Sequence, residues 1–214
     1  MTSAGAGPRP GVAEVSRARL PAAEPTTRLF VAIDPPPGLR VELAAICRGL
    51  DDARWTRPEQ MHVTLRFLGS LPISLVGTIA AALAAVAATP FRVAVSGFGV
   101  FPSFRSPRVL WAGLDPPAPL RELARAIEST LARTDAVEPE EKEFFPHLTL
   151  ARFNGIRAAA VRSWMESRDG FSAGPWEVTE FFLYSSRLTP EGAIHTRIDT
   201  RALDRAGAPV PGGR

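Results

Sequence analysis

Cysteine is almost absent from this sequence: Cys47 is the only one, so no disulfide can close within the chain. It falls in an apolar helical pattern with Leu43, Ala44, Ile46 and Leu50, and is expected to be a plain core residue. No run approaches the roughly 18 apolar residues of a membrane span. The N-terminus lacks the apolar stretch of a secretory signal. Internal disulfides and a spanning helix are thereby excluded, and a cytoplasmic location is the expectation. Lysine is just as scarce, Lys142 being the only one among 25 basic residues. The arginine that replaces it suits phosphate, because its fork of donors matches phosphate oxygens. The formal net charge is only +3, with a pI near 9.9, an excess that RNA as a partner would accommodate without being required by it.

What is there reads as one sizeable folded unit. The 214 residues are 45% apolar and 22% charged, an ordinary globular balance. Residues 1–26 are rich in Ala, Gly, Pro, Arg and Ser without periodicity and are expected to be a disordered tail. Residues 204–214 read the same way, which leaves a domain over 27–203. Within it, strands are expected at Leu29–Ile33, Met61–Leu68, Phe91–Phe98, Arg108–Leu114, His147–Phe153, Val178–Ser186 and Ala193–Thr200. Helices are expected from Pro35 to about Leu50, and over Ser74–Ala88, Pro119–Arg133 and Ala158–Ser167. Interleaved helices and strands with short connections point to an α+β fold with antiparallel pairing.

Two segments of this domain nearly repeat. His62-Val63-Thr64-Leu65 and His147-Leu148-Thr149-Leu150 both carry His-x-Thr in an apolar stretch, and the chain has only three histidines. Chance gives two such matches in about one sequence in a hundred of this composition. In a strand, residues two apart share a face. Each motif therefore offers an imidazole and a hydroxyl on one side and apolar residues on the other. The 85-residue spacing suggests two similar lobes around a central cleft, each supplying one such strand. Two imidazoles facing one volume suit the breaking of a P–O bond: one takes a proton, the other gives one. Threonine hydroxyls can donate to the non-bridging phosphate oxygens. Neither motif has the third ligand a metal would want, so no metal and no cofactor is expected.

The surrounding residues carry a resemblance. Arg28-Leu29-Phe30-Val31-Ala32-Ile33, Phe67-Leu68-Gly69, Phe98-Gly99-Val100-Phe101-Pro102, Pro107–Trp111, Phe145-Pro146 before the second motif and Leu183-Tyr184-Ser185-Ser186 flank the two motifs. Together the chain resembles the two-histidine phosphoesterase superfamily, and within it the RNA 2′,3′-cyclic phosphodiesterases, also called 2′-5′ RNA ligases. The resemblance covers nearly all of residues 28–200. It implies a bilobal fold of two pseudo-symmetric antiparallel sheets with helices. It implies hydrolysis of a terminal 2′,3′-cyclic phosphate of RNA, transfer-RNA fragments included, to a 2′-phosphate, in some members with ATP-independent 2′-5′ joining. Carried over by motif, His62 matches the proton donor to the leaving 3′ oxygen and His147 the base that activates water. Thr64 and Thr149 match the phosphate-binding hydroxyls. A monomer is expected. A small cyclic nucleotide or a 2′-5′ oligonucleotide is the alternative substrate, and a non-catalytic RNA-binding module the alternative class.

Four further residues are weighed from the pattern. Strict alternation puts Arg66 on the face of His62 and Thr64, although an ion-paired or solvent-facing role is the expectation for it. Alternation sends Arg152 away from the His147 face unless a bulge intervenes. Phe30 and Trp111 could stack on a base, but their strand settings point to core packing. Where the family commonly has Tyr, this chain has His195, for which a surface or hairpin role is expected.

Overall fold

The computed structural model describes residues 24–190 and 192–203, so the tails expected at 1–26 and 204–214 fall almost wholly outside it. Residues 24–26 are the exception, because Thr26 already opens the first strand and Ser74 N–H donates to the Glu24 carboxylate. The elements run β1 (Thr26–Ile33), α1 (Pro37–Ile46), β2 (Ala53–Trp55), β3 (Val63–Pro72), α2 (Val76–Leu83), β4 (Phe91–Phe101), β5 (Val109–Asp115), α3 (Ala118–Leu131), β6 (His147–Phe153), α4 (Ala158–Glu166), β7 (Ser172–Val178), β8 (Glu180–Thr189) and β9 (Gly192–Ala202).

Local chemistry explains where these bounds depart from the sequence pattern. Helix α1 stops at Ile46 rather than near Leu50. Its end tightens into a Cys47 N–H to Ala44 C=O bond, and Gly49 then turns the chain at φ +85°. Helix α2 covers only the middle of the expected Ser74–Ala88, flanked by a 3-10 turn over Ile73–Leu75. Strand β7, which carries Gly174-Pro175, has no counterpart in the sequence reading apart from Val178. Proline is tolerated there because β7 is an edge strand.

Two antiparallel sheets result, ordered β3-β1-β8-β9 and β2-β6-β5-β4-β7. Position by position they correspond: β3 with β6, β1 with β5, β8 with β4, β9 with β7. Strand β2 is an addition at one edge. Each half of the chain builds a strand–helix–strand unit (β1-α1-β3, then β5-α3-β6) and lends its next long strand, β4 or β8, to the other half's sheet. The two lobes are thus laced together, and neither sheet is made from one half alone. One face of each sheet is packed: α3 buries Leu120, Leu123, Ala124, Ile127 and Leu131, and α4 buries Val161 and Trp164. Burial of those apolar side chains supplies about 25 cal/mol per Å² and fixes which face stays open. The α+β, two-lobed expectation holds. No helix among the described residues is long and apolar enough to cross a membrane.

Candidate active site

Both histidines stand at the entry of their strands. His147 is the first residue of β6, and His62 immediately precedes β3. These strands belong to different sheets, yet approach within 8 Å between Cα atoms, which sets the two motif-bearing strands side by side. The same backbone device orients both rings. His62 Nδ1 bonds the Gln60 carbonyl at 2.7 Å, and His147 Nδ1 bonds the Phe145 carbonyl at 2.8 Å. A carbonyl only accepts, so Nδ1 carries the hydrogen and Nε2 is left for chemistry in the cleft.

Each motif is also bulged at its fourth residue. Val31 pairs with Arg66 while Ala32 pairs with Thr64, which leaves Leu65 extra. Leu110 pairs with Ala151 while Trp111 pairs with Thr149, which leaves Leu150 extra. A bulge resets which residues face which side. Thr64, beside Ala32, stays on the cleft face. Beyond the bulge it is Phe67, opposite Phe30, that returns to that face, and Arg66 turns under the sheet. There Arg66 is only 8% exposed and holds Glu128 at 2.6 Å, Glu140 at 3.2 Å and the Phe67 and Glu138 carbonyls. The ion-paired expectation for Arg66 is met; its placement beside His62 is corrected. In β6 the same device acts in reverse on the arginine. Arg152 pairs with Val109, on the face of Trp111 and Thr149, and its charge acts on His147.

The hydroxyls of Thr64 and Thr149 have no hydrogen-bond partner among the described residues, whereas those of Thr130 and Thr134 are engaged by backbone carbonyls. Aromatic rings wall both imidazoles. Phe30 lies 4.9 Å from His62, and Tyr184 stacks on Phe30 at 5.2 Å. Phe101 stands edge-on to His147 at 5.0 Å, with Trp111 at 6.4 Å and Phe145 against both Phe101 and Trp111. Trp111 lies across Gly99, where an added Cβ would come within 2.1 Å of the ring. Phe30, 3% exposed, is core as expected, but its ring also floors the site.

His195 departs from expectation. It lies in the β8–β9 hairpin, as foreseen, but it is half-buried against the first motif instead of standing at the surface. The ring stands edge-on to His62 at 5.3 Å and to Phe30 at 5.0 Å. Gln60 Nε2 fastens this hairpin by donating to the Ala193 carbonyl. Behind it, Asp34 accepts from Tyr184 Oη at 2.7 Å and holds Arg197 at 2.9 Å and Arg40 at 3.0 Å. Spacing alone gave no signal for Asp34, which lies 150 residues from Tyr184 and 163 from Arg197; Phe101 and Tyr184 lay in the family-like segments.

Burial sets the electrostatics. It pushes His62 down to about 4 against the opposing hydrogen bond that the ring donates to the Gln60 carbonyl, with His195 and Arg40 lowering it further and Asp34 raising it. His147 and His195 are also lowered, chiefly by burial. The unliganded site at neutral pH is therefore an uncharged histidine cluster beside free arginine. An entering phosphate anion favours protonation of either imidazole. Among the described residues, no group of three or more His, Cys, Asp or Glu side chains could hold a metal ion. Two surface cavities, of about 570 Å³ by Phe104 and Arg162 and about 560 Å³ by Arg40 and Trp176, are lined by neither motif histidine.

The model of the LigT-like phosphoesterases matches residues 33–111 and 114–195, each stretch with one motif. The chain belongs to the LigT-like phosphoesterase family. Among curated members, the RNA 2′,3′-cyclic phosphodiesterase of Archaeoglobus fulgidus is 33% identical over 78% of this chain and 96% of its own. That of Methanothermobacter thermautotrophicus is 30% identical over 82% and 98%. The LigT-like fold is seen directly in Escherichia coli LigT complexed with 3′-AMP, at TM-score 0.66 and 26% identity, covering 85% of this chain and 100% of that one.

Proposed function

We propose that this LigT-like protein is an RNA 2′,3′-cyclic phosphodiesterase that opens a terminal cyclic phosphate to a 2′-phosphate. The observation that carries the reading is the pair of bulged strands. Between them these strands carry two imidazoles with free Nε2 atoms, two unengaged hydroxyls and one unpaired arginine, which supports the reading. In this reading water attacks phosphorus opposite the 3′ oxygen. His147 Nε2 takes the water proton as the P–O bond forms. His62, protonated through Nε2, gives its proton to the 3′ oxygen as that P–O bond breaks, leaving a free 3′ hydroxyl. Thr64 and Thr149 donate to the non-bridging oxygens, and Arg152 offsets the charge that gathers on them. Each proton transfer is typically worth about 10²–10⁴-fold in rate. The roles of the two histidines follow the family resemblance. The stronger burial of His62 means that it acquires its proton together with the anionic substrate. The Nδ1 bonds to Gln60 and Phe145 support this, because they stabilise the charged ring.

The protein is expected to act as a cytoplasmic monomer on RNA ends, cleaved transfer RNAs among them. A small nucleotide is the second reading, favoured by one observation: the related E. coli LigT binds 3′-AMP. The deciding experiment incubates the protein with a cyclic-phosphate-ended oligoribonucleotide in EDTA and locates the product phosphate. A 2′-phosphate is expected. A 3′-phosphate, or an intact cyclic end, overturns the reading, and loss of activity in EDTA removes the metal-free mechanism.

A further inference from the structure

The cleft face of the five-stranded sheet extends past the catalytic strand. Arg54 of β2 pairs directly with Arg152 of β6, and the same row continues through Val109 of β5 to Phe101 of β4. Residues directly opposite in an antiparallel pair share a face, so Arg54 projects to the side of Arg152, Thr149 and Trp111. Its neighbour Trp55 confirms the geometry by packing on Trp164 of α4, on the covered face. Both arginines are exposed, and among the described residues neither has an ion pair or a side-chain hydrogen bond. Elsewhere Arg40, Arg66, Arg197 and Arg201 each hold a carboxylate. Two like charges directly opposite destabilise a sheet unless something neutralises them. Strand β2 has no counterpart in the other sheet, where β3 is the free edge. The extra cation is therefore on one side only, and it gives the cleft a direction.

We propose that Arg54, working beside Arg152, holds the phosphate that precedes the cyclic phosphate, so that the site takes an oligoribonucleotide in preference to a mononucleotide. The inference rests on the phosphodiesterase reading and deepens it. Cβ atoms of such a cross-strand pair stand about 4.5–5.5 Å apart. From that base one guanidinium can reach the reacting phosphate while the other takes the next one along the strand, each through a two-pronged contact. The RNA body then leaves over β2 and β6, away from the β8–β9 hairpin that closes the other side.

The test compares kcat/KM for a cyclic-phosphate-ended pentaribonucleotide with that for a 2′,3′-cyclic mononucleotide, in the unaltered protein, Arg54→Ala and Arg54→Lys. The unaltered protein should prefer the pentamer. Arg54→Ala should lower kcat/KM on the pentamer about tenfold, mainly through KM. It should also reduce the salt dependence by roughly 0.7 in log–log slope. Turnover of the mononucleotide should not change, and Arg54→Lys should recover part of the loss. Equal kcat/KM for the two substrates in the unaltered protein, or an equal fall on both in Arg54→Ala, overturns the inference. If the unaltered protein turns over neither, the phosphodiesterase reading fails instead. Equilibrium binding of a 2′-phosphate-ended pentamer then decides this inference alone: an affinity unchanged by Arg54→Ala overturns it, and a weakened one supports it.

Discussion

The His62 and His147 half-sites share a backbone and differ in nearly every side chain around it. Both rings donate Nδ1–H to the carbonyl two residues back, and both strands bulge at the leucine after the threonine. At corresponding places, however, Thr64 has Ala32 beside it and Thr149 has Trp111; the face after the bulge shows Phe67 in one strand and Arg152 in the other. His62 is flanked by Phe30 and a second imidazole, His147 by Phe101 and Trp111, with the charge of Arg152 acting on it. In the proposed reading the shared part determines where two imidazoles meet a phosphate. In the same reading the unshared part determines which ring holds a proton and on which side the rest of the ligand lies.

Replacing either histidine tests the shared part and should give the largest effects. His62→Ala and His147→Ala should each lower turnover of a cyclic-phosphate-ended RNA by about 10²–10⁴-fold. A substrate with a nitrophenolate leaving group separates the two. Nitrophenolate leaves without help from an acid, so most of the lost rate should return in His62→Ala and little in His147→Ala. Rescue of His147→Ala instead would exchange the roles.

The two arginines after the motifs sharpen the contrast. In sequence Arg66 and Arg152 look alike, each set in an apolar strand just past His-x-Thr-Leu. Arg66→Ala should lower stability by about 2–3 kcal/mol in urea unfolding, because it strips a buried guanidinium from Glu128 and Glu140. Activity per folded molecule should hardly change. Arg152→Ala should leave the urea midpoint in place and cut kcat/KM by roughly 10–100-fold. If the two variants behaved alike, the bulges would not be sorting these side chains.

That pair also marks how far the sequence could be read. The motifs, their two strands, the antiparallel α+β class and the two lobes were all legible, because an apolar/polar period of two and a repeated His-x-Thr are local signals. A bulge is set by pairing with another strand, and it moved Arg66 out of the site and Arg152 into it without changing a residue. Strand β2 is too short to show a period. The placement of His195 depends on β9, which lies at the opposite edge of the sheet from β3 and is joined to it only through pairing. Lacing of the two halves, through exchange of β4 and β8, was likewise invisible in residues that read as ordinary strands.

Acid should affect the two half-sites unequally. The His62 pKa is about 4 in the fold and about 6.5 in an unfolded chain, so between these values the unfolded chain binds the extra proton. Stability is therefore fully present above about pH 6.5 and falls as pH drops towards 4, by up to about 3 kcal/mol from this residue. His62→Phe should lose less stability than the unaltered protein between pH 7 and 4.5 in urea titrations; an equal loss would remove His62 as the cause. For activity, both motif histidines are lowered in the free protein, so the kcat/KM bell should centre below pH 6.5. The kcat bell should lie at higher pH, since bound phosphate raises both. A flat profile from pH 5 to 9 would contradict two titrating groups.

The smallest effect expected comes from His195, which separates the two halves at the level of one ring contact. A charged His195 opposes a charge on His62 at 5.3 Å, while Asp34 favours it and Arg40 opposes it. A proton on His195 therefore disfavours one on His62. His195→Tyr keeps an aromatic ring with a polar edge and removes the second titrating group. In the imidazole proton spectrum of that variant His62 should titrate at higher pH than in the unaltered protein, and His147, which has no ring contact with His195, should not move. The change separates electrostatics from packing: a variant that merely loosened the hairpin would shift the melting temperature and leave the His62 titration in place.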